Sequence, residues 1–172
     1  MEVMTPVRKA FLTDRGFKMA NGALQIHGGS GFTQEWGLEQ FVRDCRSTLI
    51  YEGTNGIQAL DLVGRKLASN GGRAVFSFFA EMDDFIGTHE SDPELEPFIE
   101  GLKSAKAQLQ DGTNWLMQNG MSDFNNAGAA SSDYLQLFGL TALTYMWALM
   151  AKVAVEKKGD DPFYDDKVLR GQ

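Results

Sequence analysis

Residues 23–61 read ALQIHGGSGFTQEWGLEQFVRDCRSTLIYEGTNGIQALD, and the rest of the chain is organised around them. A glycine cluster, Gly28–Gly31, stands near the start of this segment, and Glu52 lies near its end between an aromatic residue and a glycine. Glycine inside a helix costs about 1 kcal/mol relative to alanine. We therefore expect a helix to end at the cluster and Glu52 to lie at a junction between two further helices.

Apolar residues recur with helical spacing on both sides of the glycine cluster. Before it, Thr5 is a candidate N-cap and Pro6 a tolerated first-turn residue, so a first helix is predicted from there to the cluster. After it comes a short helix whose apolar face includes Cys45 as a small core residue. Asn55 is then a candidate N-cap for a third helix that continues to Leu67.

A second glycine-rich segment, Ser69–Gly72, interrupts the helical pattern. We place a boundary there, which gives two predicted domains, 1–72 and 73–172. Beyond the boundary, helices are predicted over an apolar stripe and two further segments: 75–87, a helix that starts at 91–94, and 124–157. Because no run alternates with a period of two, the predicted fold class is all-α, a partial helical bundle followed by a second helical bundle.

The composition excludes several classes of function. Sixteen Lys and Arg against 23 Asp and Glu give a net charge of −7, so binding to nucleic acid or to an anionic membrane is not expected. The single cysteine cannot form an internal disulfide, and the N-terminal residues contain no apolar segment of signal-peptide length. These features predict a cytoplasmic location, although a single cysteine is also compatible with a secreted protein.

Residues 134–151 carry no charge over 18 positions, which reaches the lower length limit of a membrane-spanning helix. Three polar residues, Gln136, Thr141 and Thr144, lie inside this segment. We therefore favour a buried core helix over a transmembrane span.

Two features carry candidate chemistry. The glycine cluster follows a helix and not a strand, so it is not a dinucleotide fingerprint; it either ends a helix or lets a phosphate or ribose approach the backbone. Glu52 is either an ordinary loop glutamate or a partly desolvated carboxylate that acts as general base. His27 and His89 have no partner at ligand spacing, so no metal site is predicted, and His27 should be held by the local backbone at a helix end.

In combination, three segments resemble the C-terminal helical domain of acyl-CoA dehydrogenases, in order and in spacing: QIHGGSGF at 25–32, RDCR at 43–46 and IYEGTNGIQ at 50–58. The resemblance covers residues 5–67. From about Val75 onward the chain is similar to the extra helical domain of longer bacterial members, including the 3-methylmercaptopropionyl-CoA dehydrogenase-like group.

The resemblance implies an FAD-dependent flavoenzyme of fatty acid metabolism that desaturates an acyl-CoA thioester between its α and β carbons. By matching positions, Glu52 is the catalytic base and Gly53 lies against the substrate. The residues that would contact FAD fall into two groups. One lies at the start of the third helix and consists of Thr54, Asn55 and Gly56. The other would reach the ADP part of an FAD held by a neighbouring subunit and consists of Gln25, Ile26, His27, Gly28 and Gly29. The implied partners are an acyl-CoA, an electron-transfer flavoprotein or similar acceptor, and further copies of the chain.

The chain departs from the family pattern because it lacks the N-terminal helical domain, the middle β domain and the first helices of the C-terminal bundle. We therefore expect a fragment, produced by truncation, proteolysis or a split gene, that by itself neither holds FAD tightly nor turns over acyl-CoA. The alternative is a non-catalytic helical module for oligomerisation or domain packing. That alternative predicts exposed apolar faces on the first three helices.

Overall fold

The computed structural model describes residues 3–120 and 122–171, which form eight α-helices and no β-strand. The all-α prediction is confirmed. The helices are α1 (Met4–Ile26), α2 (Gly28–Gly31), α3 (Leu38–Thr48), α4 (Asn55–Asp61), α5 (Arg73–His89), α6 (Glu96–Asn119), α7 (Phe124–Glu156) and α8 (Pro162–Gly171). A 3₁₀ turn occupies Gln34–Trp36, and a π-helical turn, Leu62–Lys66, prolongs α4. Ser69–Gly72 forms a turn in which Asn70 and Gly71 have a positive φ.

The 33-residue helix α7 forms the centre of the bundle, and α1, α4, α6 and α8 pack against it. Phe138 of α7 is fully buried, and its ring is stacked on that of Phe78, with 5.6 Å between the centroids. By length and composition α7 could cross a membrane, but the described chain buries one of its faces as a core. An apolar stripe on another face stays exposed: Leu140, Leu143, Met146, Met150 and Val153.

The crossing of α1 over α7 depends on one glycine. Gly139 is buried, and a Cβ atom at that position would lie 2.3 Å from the ring of Phe11. Residues on both sides of the predicted boundary, such as Val7 and Phe78, belong to one hydrophobic cluster. The division at 72/73 stays a prediction, and residues 1, 2, 121 and 172 of the two predicted domains lie outside the described residues.

Several predicted helix boundaries were wrong. The first helix begins at Met4, one residue before the candidate cap Thr5. At its other end the predicted stop is confirmed, since α1 ends at Ile26 and Gly28 adopts a φ of +61°; Gly28–Gly31 then forms a separate single helical turn, which was not predicted. Helix α6 starts at Glu96 because the Asp92 carboxylate accepts from the Glu94 N–H in a preceding turn.

Two other expectations need correction. Cys45, predicted as a core residue, is only half-buried, because α3 packs chiefly on α1 and has no fully buried residue. The last helix, α8, was not predicted. Its sequence signal is Asp161 before Pro162, since the Asp161 side chain accepts from the Phe163 N–H.

Alanine at the α1–α7 crossing tests the packing. G139A forces Cβ against Phe11, so we expect a loss of about 1–3 kcal/mol in the free energy of unfolding. The matched control is G128A on the same helix, where a Cβ atom would have no neighbour within 4 Å. There the higher helix propensity of alanine should stabilise the chain by up to about 1 kcal/mol. Urea denaturation measures both changes, and changes of equal sign and size would contradict this packing.

The buried Tyr134 predicts a loss of stability in alkali. Burial raises its pKa to about 12, whereas the Thr113 hydroxyl, 2.7 Å from the tyrosine oxygen, acts in the opposite sense. Since an unfolded tyrosine ionises near pH 10, the stabilising contribution of Tyr134 is complete below pH 10 and is lost between pH 10 and about 12.

Between pH 9 and 12 the free energy of unfolding should therefore fall less in Y134F than in the wild type, by roughly 2–3 kcal/mol. Thermal unfolding across this pH range measures the difference. The control is Y51F, because Tyr51 is 52% exposed and its removal should leave the alkaline fall as in the wild type. An equal fall in Y134F and Y51F would show that Tyr134 ionises as freely as an exposed tyrosine.

Candidate functional site

Glu52 lies in the turn between α3 and α4, where the backbone is left-handed at two successive residues. Its φ is +56°, and that of Gly53 is +84°. Both carbonyl groups accept a side-chain hydrogen bond: Gln58 Nε2 donates to Glu52 O at 2.8 Å, and Lys9 Nζ donates to Gly53 O at 2.7 Å. We call residues 52 and 53 the Glu52 turn. It is held from α4 on one side and from α1 on the other.

The Glu52 side chain is exposed, and so are the neighbouring Ile50 and Tyr51, at 55% and 52%. Of the two alternatives for Glu52, the exposed loop glutamate describes this chain by itself, and the partly desolvated carboxylate does not. The physical reason is that Ile50, Tyr51 and Glu52 lie between the end of α3 and the start of α4, and no described element covers them.

Asn55 is the first residue of α4, yet its side chain does not cap that helix as predicted. It donates instead to Asp14 Oδ1 at 2.8 Å and to Thr13 Oγ1 at 3.0 Å on α1, and its Oδ1 accepts from Lys9 Nζ at 2.8 Å. The other Asp14 oxygen accepts from Gln136 of α7 at 3.0 Å. Because these bonds occupy the Asn55 side chain, its predicted contact with FAD is restricted to the backbone.

The remaining FAD candidates at the start of α4 are open to solvent. Thr54 occupies the N-cap position without a side-chain capping bond, and a Cβ atom at Gly56 would have no neighbour within 4 Å. At Gly53 a Cβ atom would lie 3.2 Å from Gln58 Nε2. Glycine therefore suits this position for both its positive φ and its crowding.

The second group of FAD candidates lies at the far end of α1. All five, 25–29, are exposed, and Cβ atoms at Gly28 and Gly29 would have no neighbour within 4 Å. His27 Nδ1 lies 3.0 Å from Ala23 O, which confirms that this histidine is held by the local backbone. The open glycine backbone leaves room for a ligand to approach.

The two groups do not meet within one chain. The Glu52 turn is bonded to Lys9, and Asn55 is bonded to Thr13. Gln25 lies 12 residues after Thr13 along α1. At 1.5 Å per residue that is about 18 Å. Both segments fit as open edges of an FAD site, one near the start of α4 and one at the end of α1. The described residues do not enclose a flavin.

Two anchoring residues, Lys9 and Gln58, were not assigned to the site from the sequence. Gln58 carried no role of its own in the sequence analysis, and no spacing rule connects Lys9 to a residue 44 positions away. Among the residues that the structure describes, no group of three or more His, Cys, Asp or Glu residues could hold a metal ion.

An apolar surface surrounds these segments. On α1 the exposed residues Leu12, Met19 and Ile26 recur every seven positions, and Ile26 is 86% exposed. Further exposed apolar side chains lie on the following helices and loops: Phe32, Trp36, Phe41, Ile50, Tyr51 and Ile57. The apolar exposure predicted for the first three helices is therefore present in the structure.

Comparison with known proteins matches nearly the whole chain in two parts. Residues 2–67 match the family described as "Acyl-CoA dehydrogenase, C-terminal domain", and residues 78–171 match "Acetyl-CoA dehydrogenase C-terminal like".

Curated relatives agree with these family matches. A 3-methylmercaptopropionyl-CoA dehydrogenase from Ruegeria pomeroyi is 37% identical to this chain over 97% of its length. A butyryl-CoA dehydrogenase from Syntrophomonas wolfei is 32% identical over 79% of the chain. A broad-specificity linear acyl-CoA dehydrogenase from Mycobacterium tuberculosis is 28% identical over 97% of the chain. The matches span 29%, 21% and 29% of those proteins. The chain belongs to the acyl-CoA dehydrogenase family, with a C-terminal-domain region followed by a C-terminal-like extension.

Proposed function

We propose that this chain contributes the catalytic base and part of the FAD site to an acyl-CoA dehydrogenase, with Glu52 as the base. The observation that carries the proposal is the left-handed backbone of Glu52, a non-glycine residue with a φ of +56°. Such a conformation costs of order 1–3 kcal/mol and persists where surrounding contacts enforce it, often at functional sites. Here the enforcing contacts are the two side-chain bonds to the Glu52 turn.

The chemistry explains why the base must be held. The α proton of a thioester is weakly acidic, so its removal requires a carboxylate fixed within reach and protected from water. In this chain the turn is fixed, and the exposed Ile50 and Tyr51 supply apolar surface that the rest of an enzyme would cover. Gly53, without a side chain, leaves room beside the carboxylate for the thioester.

The family uses FAD, and bound FAD would accept the hydride that leaves the β carbon. Thr54, Asn55 and Gly56 would approach the cofactor at the start of α4, with Asn55 contributing only its backbone. Residues 25–29 would contact the ADP part of an FAD held by a neighbouring copy, since about 24 Å of α1 separates Gln25 from Lys9, the residue that holds the Glu52 turn. The active form is then a cytoplasmic homo-oligomer that passes electrons to an electron-transfer flavoprotein or similar acceptor.

A second candidate function is a non-catalytic helical module for subunit association or domain packing. The heptad-spaced Leu12, Met19 and Ile26 favour it, because exposed apolar faces of this kind mark interaction surfaces. A monomer at micromolar concentration in sedimentation experiments would count against it. The two functions are compatible, since an enzyme subunit can assemble through the same face.

The isolated chain should neither retain FAD on gel filtration nor reduce an electron acceptor with acyl-CoA, since its two FAD-contacting segments lie apart and open. We therefore place the test of Glu52 in an assembled enzyme, meaning this chain co-expressed with the remaining portion of a related acyl-CoA dehydrogenase and loaded with FAD. In that enzyme, E52Q should slow flavin bleaching by acyl-CoA at least about 100-fold, with bound FAD unchanged.

The matched control is E35Q, which changes an exposed glutamate in the turn before α3. It should bleach at the wild-type rate. If E52Q bleaches as fast as E35Q, Glu52 is not the base. A panel of acyl-CoAs in the same assay identifies the acyl class.

A further inference from the structure

Lys9 donates a hydrogen bond to the Glu52 turn, and the proposed function gives this lysine no role in the reaction. It is half-buried on α1, and its ammonium donates to Gly53 O at 2.7 Å and to Asn55 Oδ1 at 2.8 Å. Lysine side chains usually extend into solvent, where their many rotamers are free. This one is directed at the backbone of the Glu52 turn.

The Lys9 contact differs in kind from that of Gln58. Gln58 lies six residues after Glu52, so its bond to Glu52 O fixes the turn only relative to α4. Lys9 comes from a different helix, 44 positions before Gly53. Its bond fixes the turn relative to α1, the helix whose far end carries the second group of FAD candidates. A bond from an ammonium donor is also stronger than one between neutral groups.

Lys9 is itself held in place. Asn55 Oδ1 accepts from it, and the Asn55 amide donates to Asp14, which in turn accepts from Gln136 of α7. A continuous series of hydrogen bonds therefore runs from the central helix α7 through α1 to the Glu52 turn. Such a network makes the position of the turn depend on the packing of α1 on α7.

We propose that Lys9 is a positioning residue, which holds the Glu52 turn so that the carboxylate of Glu52 stands in a fixed place for proton removal. The inference rests on the proposed role of Glu52. Without the ammonium, water can hydrate Gly53 O, and the left-handed backbone loses its restraint from α1. The carboxylate would remain present but would be less often in the productive geometry, which lowers the rate of the chemical step and not the affinity for substrate.

The first test uses the chain itself, without flavin. Glutamyl endopeptidase cleaves after glutamate, so the rate of cutting between Glu52 and Gly53 reports how often the turn opens. K9M keeps the length of the side chain and removes its donor, and it should raise this rate about tenfold relative to cutting after Glu35. The matched control, K18M, changes an exposed lysine of the same helix and should leave the ratio unchanged. Equal ratios in K9M and K18M would overturn the inference.

The second test uses the assembled enzyme. K9M should lower the bleaching rate at saturating acyl-CoA about tenfold, with KM and bound FAD unchanged. K9R, which retains charge and donors, should recover most of that rate. In the E52Q background K9M should have no further effect, because it acts through Glu52. A further fall of the same size in that background would mean that Lys9 acts by another route.

If K9M does not fold, Lys9→Gln replaces it in both tests, since this shorter neutral side chain also removes the ammonium donor. It should loosen the turn and slow bleaching as K9M would, and wild-type behaviour would overturn the inference.

The roles proposed for Glu52 and for Lys9 fail in different ways. An inactive E52Q with an unaffected K9M rejects only the role of Lys9, whereas a fully active E52Q rejects the role of Glu52 and with it the inference.

Discussion

The close crossing of α1 over α7 is the constraint on which the rest of the structure depends. Phe11 lies against Gly139, where a side chain would leave no room. This contact brings Asp14 within hydrogen-bonding distance of Gln136, and Asp14 orients Asn55 at the start of α4. The same helix therefore joins the buried core to the Glu52 turn at one end and presents the glycine segment at the other.

The helices could be predicted from the sequence because their apolar residues repeat at the helical period, and burial of that face is what stabilises a helix in a bundle. The stripe through Val75, Phe78 and Met82 is buried as its spacing predicts. Helix ends were less predictable, because the residues that cap helices also form turns and tertiary contacts. Asp92 closes a turn ahead of α6, and Asn55 binds α1 instead of capping α4.

The turn that contains Glu52 was predictable from the sequence, but its environment was not. By resemblance, residues 50–58 imply a catalytic base beside a flavin, and the structure shows the turn that contains Glu52. The exposure of Glu52 could not be predicted from its neighbours, since burial depends on which other elements cover a loop. Lys9 could not be found either, because a contact across 44 positions is set by helix packing and has no local pattern.

The most direct test of the account is a crystal structure of the assembled enzyme with FAD and an acyl-CoA analogue that cannot be desaturated. The account predicts a Glu52 carboxylate oxygen about 3–3.5 Å from the α carbon, the distance of a near-attack geometry, with Lys9 still bonded to Gly53 O. A Glu52 side chain directed into solvent, with another carboxylate at the α carbon, would contradict it.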